Sequence, residues 1–219
     1  MAVLDSRASK KQGIYSRFIK RFFDIIIGLL GTVIFLVPLS LVISLCYLFG
    51  KDKGHIIFTQ ERVGLNGKPF KIFKFRSMVE NAEEVLTRDK ELYQKYIENS
   101  YKLPTDEDPR LTKVGKFIRK TSLDEFPQFL NILKGDMSFI GPRPILPTEL
   151  LEYKADEQQE LLSVKPGATG WWQVSGRSDV YYPERCELEL YYPRHISFGL
   201  DLKIAFLTVK RVLTGKGAR

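Results

Sequence analysis

From residue 25 to residue 49 the chain reads IIIGLLGTVIFLVPLSLVISLCYLF, with no charged side chain between Asp24 and Lys51. A helix of that length covers the hydrocarbon core of a bilayer. The run is too long for the apolar part of a secretory signal and no small-residue cleavage site follows it, so it is expected to stay in the mature protein. Downstream, HIIFTQERVGLNGKPFKIFKFRSM at 55–78 sets two short apolar-aromatic stretches around Asn66-Gly67, which predicts a β-hairpin. Residues 79–97 are charged and free of Gly and Pro, the pattern of a surface helix, and LPTDEDP at 103–109 reads as a turn-rich acidic connector. Residues 113–120 predict a short helix with Lys113, Lys116 and Lys120 on one face and Val114, Phe117 and Ile118 pointing elsewhere. A further helix fits 149–163, and a Gly-rich loop with two tryptophans fits 165–177. From 195 to 212, apolar residues interleave with Lys203, Lys210 and Arg211, which suits a helix either in the membrane interface or in the core.

Two features shape the membrane segment. Pro38 sits in the middle of the apolar run, where it removes a backbone hydrogen bond and kinks or breaks a helix. Both flanks are basic, with Arg7, Lys10, Lys11, Arg17, Lys20 and Arg21 before the run and Lys51, Lys53, Arg62 and Lys68 after it. The positive-inside rule then wants both ends on the cytoplasmic side. One straight crossing fails that test, whereas a helix that enters, bends at Pro38 and leaves through the same leaflet meets it. Thr32, Ser40 or Ser44 would satisfy the carbonyls freed by the bend. The expected architecture is therefore α+β and mainly helical: a monotopic protein with an N-terminal re-entrant helix broken at Pro38, a β-hairpin and amphipathic interfacial helices. Residues 1–51 would form the basic and membrane part and 52–219 the catalytic part of one integrated unit.

Composition narrows the chemistry without naming it. Of 219 residues 44% are hydrophobic and 27% charged, which excludes a disordered or low-complexity chain. Two cysteines and two histidines, far apart, offer neither a disulfide framework nor zinc-ligand spacing, so a metal would need oxygen ligands. The net charge of +8 points to an anionic partner. Nucleic acid fits poorly, because the basic residues are scattered and a membrane segment is present. No GxxxxGK[ST], GxGxxG or GxSxG occurs, which removes the P-loop, the dinucleotide fold and the nucleophilic-serine elbow.

The densest chemistry lies in TSLDEFPQFLNILKGDMSFIGPRP at 121–144. One reading is structural: Asp124 caps the helix that Pro127 starts, and Ser122 with Glu125 has the spacing of a capping box. The other is chemical. A helix N-terminus attracts phosphate, and adjacent carboxylates project about 100° apart, so one is free to attack or hold a metal while the other tunes it. In Gly141-Pro142-Arg143-Pro144 the prolines pre-aim a guanidinium suited to bidentate phosphate binding, and Arg119 is a further candidate. The lysine face of 113–120, with Lys116 at its centre, is either a solvated surface or part of the same anion site.

At these residues the chain resembles a known family. KFRSM at 74–78, the 121–144 segment, KPGATGWWQVSGR at 165–177 and LDLKIAFLTVK at 200–210 are similar to the bacterial sugar transferases, the monotopic phosphoglycosyl transferases. The likeness runs from about Tyr15 to the C-terminus, and because the chain begins just before the membrane segment it resembles the small, catalytic-core form. The resemblance implies transfer of a sugar 1-phosphate from a UDP-sugar to a polyprenyl phosphate, usually undecaprenyl phosphate. That would be the first membrane step of a surface glycan such as an exopolysaccharide, O-antigen, capsule or S-layer glycan, at the cytoplasmic face of the bacterial inner membrane. It implies Asp124 as nucleophile and magnesium ligand, Glu125 as its partner, and Arg119, Arg143 and Lys116 as phosphate contacts. The 165–177 loop, with Gln173 and Arg177, would face the sugar nucleotide. Its SGRSD continuation is closer to members using galactose or glucose 1-phosphate. Two departures stand out: Val37 precedes the helix-breaking proline where small members often carry Ser, and Trp172 stands where some have a small residue. The rival from another class is a membrane-anchored anion-binding scaffold whose acids only cap helices.

Overall fold

The computed structural model describes residues 15–50, 54–99, 101, 103–176 and 180–214. It is mainly helical, with two small two-stranded sheets. The apolar run becomes α1 (Lys20–Gly31) and α2 (Val37–Phe49), joined by a wide π turn over Thr32–Leu36. Lys20–Phe49 is one continuous helix, long and apolar enough to cross a membrane, and only 17% of its most apolar stretch is buried.

The expected break at Pro38 is corrected in form. Leu36 and Val37 keep right-handed helical dihedrals (φ −67°, ψ −46° and φ −62°, ψ −53°), so the chain is not interrupted there. The irregularity falls one turn earlier, where the Val37 N–H reaches back five residues to the Thr32 carbonyl. A π turn ahead of a proline widens the ladder at the point where the ring would otherwise collide with a carbonyl. Thr32, Ser40 and Ser44 each donate their hydroxyl to the carbonyl four residues back.

One face of this helix is tied to the rest of the protein along its length. Arg21 donates to the carbonyls of Ile132 and Leu133, at 2.6 and 2.7 Å, and so caps the C-terminal end of α6 (Gln128–Lys134). Asp24 accepts from the Ser138 hydroxyl and the Phe139 N–H. Gly31 lets the helices approach: a Cβ there would come within 2.4 Å of the Phe129 ring. At the far end the Tyr47 hydroxyl donates to the Arg76 carbonyl, while Ile43 and Tyr47 pack with Phe75 and Ile118. The opposite face is left bare, with Phe22, Leu29, Val33, Val37, Leu41 and Leu48 all exposed.

The hairpin pairs β1 (Ile57–Val63) with β2 (Pro69–Phe75) in antiparallel register, Arg62 opposite Phe70 and Phe58 opposite Lys74. Asn66 and Gly67 both have positive φ (55° and 77°) and Lys68 N–H returns to Leu65 O, the type I′ turn that Asn-Gly favours. Three other expectations need revision. Residues 79–97 split into α3 (Ala82–Arg88) and α4 (Lys90–Glu98), because extended Asp89 accepts from Leu92 N–H and caps the second helix. The 149–163 helix is a short 3-10 turn, Glu149–Glu152, followed by α7 (Ala155–Leu161). Within 165–177 lie β4 (Gly167–Thr169), parallel to β3 (Ser138–Ile140), and a helical turn α8 (Trp171–Ser175). The helix expected over 195–212 is present as α10 (Phe198–Thr214), and it is preceded by α9 (Glu184–His195), which the sequence reading did not include and which contains Pro193. On α10, Asp201 and Ile204 are buried while Phe198, Leu202, Phe206 and Val209 are exposed.

Candidate active site

The site begins with α5 (Lys113–Lys120), as the sequence predicts. Thr112 caps it by accepting from Gly115 N–H at 2.8 Å, and Arg119 sits in its last turn. Ser122 then turns the chain through a left-handed conformation (φ 58°) into a 3-10 turn, Leu123–Glu125, before Pro127 starts α6. Neither Ser122 nor Pro127 caps through its side chain, so the capping-box reading of Ser122, Asp124 and Glu125 is overturned. Glu125 instead pairs with Lys74 at 2.8 Å. Asp124 is left buried, 7% exposed.

Burial pushes the Asp124 carboxyl up to about 6, helped by the Glu125 charge and opposed by Lys74 and Arg119. The hairpin register places Lys74 and Arg62 on the same face of the sheet, which is how β1 and β2 deliver two cations to one side. Arg62 donates to Gln60 Oε1 at 2.7 Å, to Pro144 O at 3.1 Å and to Glu149 Oε2 at 3.3 Å. It therefore fixes the Pro142-Arg143-Pro144 loop to the hairpin. Burial and the neighbouring Arg143 guanidinium draw Arg62 down to about 10, against the pull of Glu149. Arg143 lies 5.8 Å from the Trp172 ring, and its buried Nε has no hydrogen-bond partner among the described residues. Glu149 is buried yet held below the usual carboxylate range by Arg143 and Arg185, which outweigh desolvation.

The remaining candidates fall out as follows. Lys116 is exposed on α5 and makes no ion pair among the described residues, so the structure does not bring it to Asp124. Gln173 uses its carbonyl to accept from Arg211, and its buried Oε1 has no partner among the described residues. Arg177 lies outside the described residues. His195 stacks on Tyr191, and burial pushes the Cys186 thiol up to about 12, so neither offers a ready nucleophile or base. No group of three or more His, Cys, Asp or Glu that would cage a metal occurs among the described residues. What remains is one desolvated carboxylate with a second beside it, ringed by cations.

Comparison with known proteins gives the family. The profile of the bacterial sugar transferases matches residues 15–215. The chain belongs to that family. It is 46% identical over 206 residues to the undecaprenyl-phosphate galactose phosphotransferase of Salmonella typhimurium, covering 93% of this chain and 42% of that protein. It is 39% identical over 210 residues to the UDP-glucose:undecaprenyl-phosphate glucose-1-phosphate transferase of Escherichia coli, covering 93% and 42%. It is 41% identical over 203 residues to the exopolysaccharide production protein ExoY of Sinorhizobium fredii, covering 91% of this chain and 87% of that protein. The chain thus spans less than half the length of the first two relatives and most of the third.

In this member of the family, pattern reading missed four charged residues in and around the candidate site. Lys74 and Arg62 look like ordinary strand positions, and only the hairpin register, set by Asn66-Gly67, puts them on one face. Asp108, in the segment read as a solvated acidic connector, is buried in a clamp with Arg110. The signal available was Pro109, which separates Asp108 from Arg110 and restricts the residue before it to extended backbone.

Proposed function

We propose that the chain transfers a sugar 1-phosphate, of galactose or glucose type, from a UDP-sugar to undecaprenyl phosphate. The observation that carries the reading is Asp124: a buried carboxyl, raised to about 6, on which the charges of Lys74 and Arg119 act. At neutral pH such a group is mostly ionised yet poorly solvated, which suits a nucleophile. The carboxylate attacks the β-phosphorus, the bond from that phosphorus to the bridging oxygen breaks, and UMP leaves with the electron pair. A phosphate oxygen of undecaprenyl phosphate then attacks the aspartyl phosphosugar, freeing the carboxylate and giving an undecaprenyl diphosphate sugar. Lys74 and Arg119 supply fixed positive charge to the phosphoryl oxygens, and Arg143 adds a guanidinium for the diphosphate. Glu125, restrained by Lys74, accepts the acceptor's proton.

Magnesium fits this donor set, because it takes one or two carboxylates and keeps its remaining positions for water and substrate phosphates. Asp124, with Glu125 adjacent, provides that much and no closed cage is required. Bound there, the ion would neutralise diphosphate charge.

The helix Lys20–Phe49 is read as re-entrant, with the site on the cytoplasmic face of the inner membrane. Supporting this, Arg21 and Asp24 near its start and Tyr47 near its end all bond to the same folded body. A helix crossing to the far side would carry one end away from that body. The exposed apolar row Phe198, Leu202, Phe206 and Val209 on α10 sits beside it through the Phe23 and Phe198 rings, and so also faces lipid.

The test of the reaction is UMP release with magnesium, undecaprenyl phosphate and a panel of UDP-sugars. Release with UDP-galactose or UDP-glucose is expected, and folded protein silent across the panel would end the proposal. Topology is checked by cysteines introduced near residues 10 and 55 after replacement of Cys46 and Cys186. Both should react with an impermeant reagent from the cytoplasmic side only; labelling from opposite sides would require a spanning helix.

A further inference from the structure

We propose that Asp108 is a positioning residue for the transfer reaction, acting through Arg119; the inference rests on the function proposed above. Asp108 is fully withdrawn from solvent, its side chain 0% exposed. Its Oδ1 accepts from Arg110 Nε at 2.8 Å and from the Arg110 N–H at 3.1 Å, and its Oδ2 accepts from Arg110 Nη2 at 2.8 Å. The Arg110 guanidinium lies 5.2 Å from the Tyr96 ring. Arg110 is consumed by this clamp, locked bidentate on one side and covered by an aromatic face on the other.

Arg119 approaches the same carboxylate differently. Its Nη1 stands 3.5 Å from Asp108 Oδ2, an ion pair too long for a normal hydrogen bond, and that buried nitrogen has no hydrogen-bond partner among the described residues. The side chain is 30% exposed and its charge acts on Asp124. One buried carboxylate thus faces two guanidiniums and neutralises only one charge. The surplus positive charge, with donor capacity to spare, belongs to Arg119 and acts on Asp124. Asp108 fixes where that charge sits, and rigid donors aimed at a phosphoryl group are worth more than donors that must reorganise.

A purely structural Asp108 would staple residues 103–112 and do nothing for the reaction, and a double-mutant cycle separates the two roles. In full-length protein in nanodiscs, Asp108→Asn is expected to lower kcat/KM for UMP release about ten- to a hundredfold, the scale of a misplaced catalytic contact. In an Arg119→Ala background the same substitution should change kcat/KM less than about twofold, because the group it positions is gone. The unfolding midpoint should shift equally in both backgrounds. Equal losses of kcat/KM with and without Arg119 would overturn the positioning role and leave a staple. Should Asp108→Asn fail to fold, Asp108→Glu, which keeps the charge and displaces it by one methylene, carries the same cycle. If unmutated protein releases no UMP from any donor, the function fails and this role with it; active protein with additive losses removes only Asp108.

Discussion

Asp124→Asn is expected to abolish UMP release, by about a thousandfold or more, while leaving the protein folded. The substitution keeps the shape of the side chain and removes the charge that would attack phosphorus. Its effect on stability separates a nucleophile from a cap. A lost cap costs about 1 kcal/mol. Asp124, however, is raised to about 6 by burial, so its ionised form is disfavoured in the folded chain. For a carboxyl whose folded pKa lies above its unfolded value, the native state binds the extra proton between the two, and stability falls as pH rises through that window. Above pH 6 the full cost is present, and asparagine removes it. At pH 7.5 the variant should therefore unfold at the same temperature as the parent or higher. Full turnover by Asp124→Asn would sink the nucleophile assignment, and a lower midpoint with unchanged turnover would restore the capping role.

How much of this was legible depends on whether the cause was local. The apolar run, the Asn66-Gly67 turn, the helix at 113–120 and the Asp124-Glu125 pair all announce themselves within a few residues, since charge, φ preference and helical spacing are short-range properties. Pro38 was seen, but its consequence was misplaced, because a helix answers a proline with a π turn one turn upstream as readily as with a break. The capping box failed because Ser122 spends its backbone on a left-handed turn, which spacing alone does not reveal. Asp89 illustrates the reverse: a single capping residue split a stretch that looked uniformly helical. Arg119 was named from the sequence, but Lys74 beside Asp124 was not recognised for another reason. Lys74 comes from the hairpin and Arg119 from α5, and only tertiary packing brings both charges to bear on Asp124. The parallel pairing of β3 with β4, two three-residue strands, leaves almost no periodic trace.

Arg185→Ala is expected to cost about 3–5 kcal/mol, the largest stability loss among the charged residues, because it strands two buried carboxylates. Arg185 is 1% exposed at its side chain and holds Glu189 at 2.8 Å and Glu149 at 3.4 Å. Its guanidinium lies 4.3 Å from the Trp172 ring and 4.6 Å from the Tyr182 ring. Burial works against its charge, but Glu189, Tyr182 and Glu149 outweigh it and raise its pKa. Removing the cation leaves Glu189 and Glu149 without their shared partner where water does not reach. Arg194, about two and a half turns further along α9, is the control: it pairs with Glu160 and Glu187 at 2.9 Å, but all three side chains are at least 35% exposed. Arg194→Ala should cost less than about 1 kcal/mol, since solvent screens such pairs. Chemical unfolding in detergent measures both, and equal losses would refute the burial argument. The consequence extends to the site. Glu149 also receives Arg62 and the Leu146 N–H, and Arg62 holds Pro144 beside Arg143. Any Arg185→Ala protein that still folds should therefore bind the UDP-sugar more weakly through a displaced Arg143, with KM raised more than kcat is lowered.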